Sequence, residues 1–240
     1  MIAVPNNPYP ATTRSVTISR HLSRRSFVVG SVSLTGLAVS GCTSVEHLPE
    51  FPAAPLISRS YALMYGPIRD ERFPIPGVNL KKIKNKYYRQ EVSYKTNEPV
   101  GSIIVDTKKF FLHLVQENGK AIRYGVGLGR EGFAWSGHAR VGWKQKWPKW
   151  TPPDEMIERQ PKLAQYSATN GGMKPGINNP LGARALYIFQ GKKDTLYRLH
   201  GTREDWSIGK AVSSGCVRLL NHDVIDLYRR VPNGSRILVV

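Results

Sequence analysis

From about Gln90 onward, apolar positions recur in short β-branched or aromatic runs separated by turn residues, the pattern of a strand-rich domain. Ser102-Ile103-Ile104-Val105-Asp106 predicts a buried strand. Phe110 to Val115 and Ala121 to Val126 flank Glu117-Asn118-Gly119, and Asn-Gly between two apolar runs predicts a hairpin, because both residues tolerate positive φ. Gly125, Gly127, Gly129 and Gly132 then punctuate a turn-rich exit. Arg184 to Phe189 and Thr195 to Leu199 predict a strand pair, and Arg236 to Val240 a closing strand. Two segments predict helices: Pro152 to Arg159, with Thr151 as N-cap, and His222 to Arg230, capped by Asn221 and stopped by Pro232-Asn233-Gly234. The fold class is therefore mainly β with a few helices, and it occupies residues 91–240. Residues 42–90 carry scattered prolines (Pro49, Pro52, Pro55, Pro67, Pro74, Pro76) and little periodicity, which predicts a tether passing into an irregular arm that packs on the domain. The run Lys81 to Lys86 predicts a basic, solvated edge.

The first 41 residues follow a different grammar. Arg14, Arg20, Arg24 and Arg25 precede 15 uncharged residues from Phe27 to Gly41, with no acidic residue before Glu46. A positive region followed by a short, mild apolar run predicts an export signal, too short and too rich in Gly and Ser for a spanning helix. Ser23-Arg24-Arg25-Ser26-Phe27-Val28 resembles a twin-arginine signal. Val39-Ser40-Gly41-Cys42 resembles a lipobox, whose cysteine becomes the lipidated first residue. Two readings stay open: lipidation at Cys42, or cleavage of an ordinary signal. Both place the working domain outside the cytoplasm, in the periplasm of a bacterium.

Charge sharpens the choice of partner. Lys and Arg number 35 against 17 Asp and Glu, for a net charge of +18. Such a balance predicts an anionic partner, and export makes nucleic acid the wrong one. The two cysteines, Cys42 and Cys216, exclude a disulfide framework and a cysteine-rich zinc site.

The candidate chemistry lies near the C-terminus. His200-Gly201-Thr202 ends a predicted strand, and Ser213-Ser214-Gly215-Cys216-Val217-Arg218 precedes a predicted helix. A thiol attacks as thiolate, an imidazole can take its proton, and small residues around the cysteine let backbone N–H groups approach an oxyanion. Alone, Cys216 reads more readily as a small buried hydrophobe than as a nucleophile.

The pattern H-G-T-x10-S-S-G-C-V-R resembles the catalytic signature of the YkuD-type L,D-transpeptidases. The likeness extends to Asn179-Pro180-Leu181-Gly182-Ala183-Arg184-Ala185-Leu186, to Ile208-Gly209-Lys210-Ala211-Val212, to Asn221-His222-Asp223-Val224 and to Val105-Asp106-Thr107. It covers about residues 95–240. Many members carry S-H-G-C; here Ser214 replaces that second His, which leaves His200 as the motif's base.

The resemblance implies a β-sandwich and two-step acyl transfer on peptidoglycan. Cys216 would attack the amide between the third and fourth residues of a tetrapeptide stem, release the terminal D-alanine and form a thioester. An amine of a second stem would resolve it into a 3-3 cross-link. His200 would shuttle the proton, with Gly201 or Thr202 as its orienter; backbone N–H groups of Ser214, Gly215 and Cys216 would form the oxyanion hole. Arg218, Thr202 and Ser213 would contact substrate, Arg218 by facing a carboxylate or by ordering the cysteine loop. The resemblance implies neither metal nor organic cofactor, and acylation by carbapenems. Water, a free D-amino acid or an envelope-protein amine stay open as acceptors, and a non-catalytic wall-binding anchor is the reading from another class. The aromatic residues Trp135, Trp143, Trp147, Trp150 and Tyr166 are candidates for a substrate groove or plain core. Oligomeric state is not legible.

Overall fold

The computed structural model describes residues 58–129, 136–213 and 215–240. The export signal, Cys42, Trp135 and Ser214 lie outside the described residues, as does the side chain of Ser213.

The chain enters through a short helix, α1 (Arg59–Met64), and two 3-10 turns, Leu80–Lys82 and Asn85–Tyr87. It then builds β1 (Gln90–Ser93), β2 (Ile103–Asp106), β3 (Phe111–Val115), β4 (Lys120–Gly125), β5 (Leu128–Gly129) and β6 (Gly137–Lys146). Helix α2 (Asp154–Arg159) and a 3-10 segment, Pro161–Tyr166, lead to β7 (Arg184–Gln190) and β8 (Lys193–Thr202). After β9 (Ala211–Ser213) and β10 (Val217–Leu220) come helix α3 (Asn221–Arg230) and β11 (Arg236–Val239).

Nine of the described strands form one sheet in the order β1-β4-β3-β2-β11-β6-β7-β8-β10, and β5 pairs with β9 in a second, small one. The hairpin β3–β4 closes at Asn118 and Gly119, both with positive φ (58° and 66°), as the Asn-Gly signal predicts. The closing strand β11 runs parallel to β2 and antiparallel to β6, so it joins the two halves of the sheet. One sheet face is apolar: Ile103, Val105, Leu112, Leu114, Leu186, Ile188, Leu199, Val217 and Leu219 pack with Val224 and Leu227 of α3. These fully buried side chains supply the hydrophobic stabilisation, at roughly 25 cal/mol per Å² of apolar surface removed from water.

Strand β6 is absent from the sequence prediction. Val141 is its only buried residue, so no alternation marks it. A bulge lies at Gly142, between the pairs Val141↔Ile188 and Trp143↔Tyr187. A side chain at Gly142 would collide with the Phe189 ring, 2.7 Å from its Cε2. Lys144 turns inward and donates to the carbonyls of Tyr228 (2.9 Å) and Val231 (2.5 Å), satisfying the C-terminal end of α3.

Two cap expectations are corrected. Helix α2 begins at Asp154 with Pro153 at its N-cap and no side-chain cap, so Thr151 lies outside it; two prolines in succession hold the chain extended until Asp154. Helix α3 begins at Asn221 itself, after Leu220, and the Asn221 side chain accepts from the Ala183 N–H (2.9 Å) instead of capping its own helix.

The arm is more ordered than its prolines suggest. Tyr65, Leu80, Ile83, Tyr87 and Tyr88 form a cluster with Phe111, Ile208 and Leu220. Tyr65 Oη donates to Asp223 (3.1 Å) and accepts from the Arg89 N–H (2.7 Å). The His222 ring meets the Gly66 carbonyl at 2.7 Å through Nε2. Farther along, Glu71 accepts from Trp147 Nε1 (2.9 Å) and pairs with Arg184. Among the described residues no helix is long and apolar enough to cross a membrane.

Candidate active site

The site forms where β8 and β10 run side by side. Their parallel register sets Val217 beside Leu199 and Arg218 beside His200. Cys216, one residue before β10, therefore arrives next to Arg198, whose backbone N–H hydrogen-bonds its sulfur. Gly215 has φ 115°, and a side chain there would lie 3.0 Å from the Tyr197 ring, so glycine permits this approach to the cysteine. Cys216 is half-buried, whereas His200 is buried at 4% exposure.

His200 Nδ1 lies 2.8 Å from the Gly201 carbonyl oxygen. A carbonyl only accepts, so Nδ1 carries the proton and Nε2 is left as the basic nitrogen. Burial is the main cause that lowers the His200 pKa, to about 4; the charges of Arg218 and Arg198 push the same way, and the Gly201 contact opposes them. Burial also raises the Cys216 thiol, partly offset by the Arg198 N–H and by the charges of Arg198 and Arg218. Both shifts favour the uncharged form of their group, thiol for Cys216 and imidazole for His200.

Two glycines hold this geometry. At Gly182, φ is +61°, and a Cβ would lie 2.6 Å from the Gly201 carbonyl carbon and collide with Asn221 Oδ1. At Gly201 a Cβ would meet the same Asn221 oxygen. The Asn179-Pro180-Leu181-Gly182 turn is fixed in turn by Asn179, whose Oδ1 accepts from the Leu181 N–H (2.9 Å) and whose Nδ2 donates to the carbonyls of Pro148 and Lys174 (both 3.1 Å). The sequence pattern singles out Asn179, Gly182 and Asn221 but not their partners, which lie up to 38 residues away.

Arg218 faces a carboxylate of its own chain: Nη1 donates to Glu204 Oε2 at 2.5 Å. Glu204 sits on a turn closed by Thr202, whose hydroxyl accepts from the Glu204 N–H (3.0 Å), and by Ser207, whose hydroxyl donates to the Glu204 carbonyl (2.6 Å). The structure thus gives the buried Thr202 a turn-closing contact where the sequence expectation is substrate contact. Ser213 pairs through its backbone with Gly129. Gly127 exchanges two backbone hydrogen bonds with Arg218, 2.9 and 2.8 Å, which ties β10 to the exit of the hairpin.

The aromatic candidates divide. Trp147 is buried, edge-on to Phe73. Trp150 joins Met173 in an isolated bridge. Trp143 is 41% exposed and stacks on Tyr187. Among the described residues no three His, Cys, Asp or Glu side chains gather as a metal site.

Comparison with known proteins agrees with the motif. The YkuD family model, described as an L,D-transpeptidase catalytic domain, matches residues 101–239. The Escherichia coli (strain K12) protein named "Probable L,D-transpeptidase YbiS" is 36% identical over 120 residues, covering 47% of this chain and 35% of that protein. The Salmonella typhimurium "Probable L,D-transpeptidase ErfK/SrfK" is 37% identical over 98 residues, 40% of this chain and 29% of that one. The match thus spans about a third of the length of these curated relatives. A solved Brucella melitensis structure, named a "Probable carnitine operon oxidoreductase", is 44% identical with a TM-score of 0.46, covering 68% of this chain and 99% of that one.

Proposed function

The chain belongs to the YkuD family of L,D-transpeptidase catalytic domains, and from that premise we propose that Cys216 is its acylated nucleophile, His200 its base and a peptidoglycan tetrapeptide stem its donor. The observation that carries this reading is the His200 Nδ1 contact with the Gly201 carbonyl, 2.8 Å long, on the strand beside Cys216. It fixes the tautomer that a base needs, with a backbone carbonyl as third member in place of a carboxylate.

The first step starts from the neutral pair. The thiol proton moves to His200 Nε2 as sulfur attacks the carbonyl carbon between stem residues three and four. Negative charge develops on the carbonyl oxygen, and the backbone N–H groups of Gly215 and Cys216, with Ser214, are the proposed donors to it. Nε2–H then protonates the leaving nitrogen; the C–N bond breaks, D-alanine departs and a thioester remains. An amine of a second stem attacks the thioester, gives its proton to Nε2 and takes the acyl group, and sulfur regains the proton as it leaves. Arg218 steadies the thiolate as it forms, because its charge lowers the Cys216 pKa.

The same reading assigns the chain to cell-wall biogenesis outside the cytoplasm, reached through the twin-arginine pattern at Ser23 to Val28, with Cys42 either lipidated as a tether or removed with the signal. It also makes the thiol a target for carbapenems, which present a strained amide. Purified tetrapeptide muropeptides should yield D-alanine and 3-3 linked dimers on mass spectrometry. Trimmed monomers alone would replace the amine acceptor with water, and absence of any D-alanine release would turn the reading to a wall-binding anchor.

A further inference from the structure

Four residues, three on neighbouring strands and one leading into a fourth, form one row across the sheet. Register sets Trp143 of β6 opposite Tyr187 of β7, and Tyr187 opposite Arg198 of β8. Cys216, one residue before β10, continues that register beside Arg198, and its sulfur meets the Arg198 backbone. The Gly142 bulge makes this row possible. Val141 faces the core, and in an unbulged strand Trp143, two residues on, would face it too; the bulge turns Trp143 onto the face of Tyr187.

The row is rigid. The rings of Trp143 and Tyr187 stack with centroids 3.6 Å apart and planes 12° apart. The Arg198 guanidinium covers the other side of Tyr187 at 4.3 Å, and Asp194 grips that guanidinium with both carboxylate oxygens at 2.7 and 2.9 Å. Tyr187 is buried between its neighbours, while Trp143 ends the stack with much of its surface exposed. A single exposed apolar residue requires no ligand. Trp143 differs in being locked in orientation, at the end of a continuous shelf that starts at the nucleophile.

We propose that Trp143 is the platform for a sugar ring of the donor's glycan strand, a subsite that rests on the transpeptidase reading and deepens it. Length is the first argument. Three interstrand steps of about 4.8 Å separate Cys216 from Trp143, about 14 Å in all. Three stem residues extended from the thioester carbonyl reach about 10–11 Å. The lactyl ether that joins the stem to its muramic acid supplies the rest, so a donor laid along the row brings its pyranose to the end of the stack, against the indole face that Tyr187 leaves free. Chemistry is the second argument. An indole face is electron-rich, and a pyranose presents a face of C–H groups with hydroxyls at its rim, so the two stack while the hydroxyls stay in water. Because Tyr187 already fixes the indole, little side-chain entropy is lost on binding.

The test compares two donors, a disaccharide-tetrapeptide and the same tetrapeptide without sugars, by D-alanine release from the full chain. Trp143→Ala should raise KM for the disaccharide donor about tenfold and leave KM for the bare tetrapeptide unchanged. Trp143→Phe, which keeps a flat ring on Tyr187, should recover most of the loss. Equal effects on both donors, or none on either, would overturn the sugar platform while leaving the transpeptidase reading intact. A parent chain that releases D-alanine from neither donor would overturn that reading and the platform with it. Thermal unfolding of Trp143→Ala close to the parent's would show that a KM effect is not misfolding.

Discussion

Glu204 holds Arg218 at 2.5 Å, and Arg218 stands beside His200 in the strand register. The guanidinium expected to greet a substrate carboxylate is therefore already engaged by one from its own chain. Glu204 is half-exposed on a turn, so this is a contact that an incoming carboxylate can replace at modest cost, of the order of 0–1 kcal/mol for an exposed pair.

Glu204→Gln should leave Arg218 uncompensated. Its full charge then favours the thiolate, so the pH profile of Cys216 alkylation by iodoacetamide should move to lower pH. The donor KM should fall by up to about fivefold, the equivalent of ~1 kcal/mol. A profile displaced to higher pH would show that Glu204 orders Arg218 instead of competing for it.

The neutral resting pair makes a pH prediction of its own. Burial holds His200 down to about 4 and the Cys216 thiol up, and both shifts work against a thiolate–imidazolium pair. Alkylation of Cys216 should stay slow near neutrality and climb through the alkaline range, and donor turnover should fall only as the medium approaches pH 4, where His200 takes a proton. Rapid alkylation at pH 5 would mean an ion pair in place of a neutral one.

Gly182→Ala should damage the site without touching a reacting atom. Its φ of +61° is costly for alanine, about 1–3 kcal/mol, and the new methyl would press on the Gly201 carbonyl that orients His200. Turnover should fall at least about tenfold with kcat carrying the loss. A lowered melting temperature with unchanged kcat would detach the turn from the catalytic geometry.

The arm is latched by a buried carboxylate. Tyr65→Phe removes a hydrogen bond from both Asp223, which keeps the Arg89 guanidinium at 3.8 Å, and the Arg89 N–H, and should lower stability by about 1–3 kcal/mol in denaturant titration. Burial, helped by the Asp226 charge, raises Asp223 to about 7 against Arg89 and the Tyr65 hydroxyl, which lower it. From about pH 4 to about pH 7 the folded chain holds a proton that the unfolded chain releases, so this group withdraws stability as pH rises through that window. Asp223→Asn should gain on the parent over the same interval in denaturant titrations. A difference that stays constant with pH would deny the shift.

Legibility in the sequence followed locality. The Asn118-Gly119 hairpin, the helix ending before Pro232 and the strand at Ile103 are set by neighbouring residues, and the structure places them as predicted. The H-G-T and S-S-G-C-V-R segments point locally to Cys216 and His200 as candidates, and the parallel pairing of β8 with β10 brings the two segments side by side. Strand β6 carried no signal because one buried residue cannot make a period. Asn221 reads as a cap by proximity, yet Ala183, 38 residues earlier, takes its side chain. Glu204 and the arm's Tyr65 stayed silent for the same reason: their partners, Arg218 and Asp223, are near only after folding.

The most direct test of the account is the intact mass of the full chain incubated with a disaccharide-tetrapeptide donor whose stem amine is acetylated, so that no acceptor amine is present. The parent chain should gain the mass of the donor less D-alanine, with the adduct mapping to Cys216 and removed by hydroxylamine, while Cys216→Ala gains nothing and keeps its fold by circular dichroism. An adduct that persists in Cys216→Ala, or a parent that releases D-alanine while its mass never changes under rapid quench, would contradict a Cys216 thioester as the centre of the mechanism.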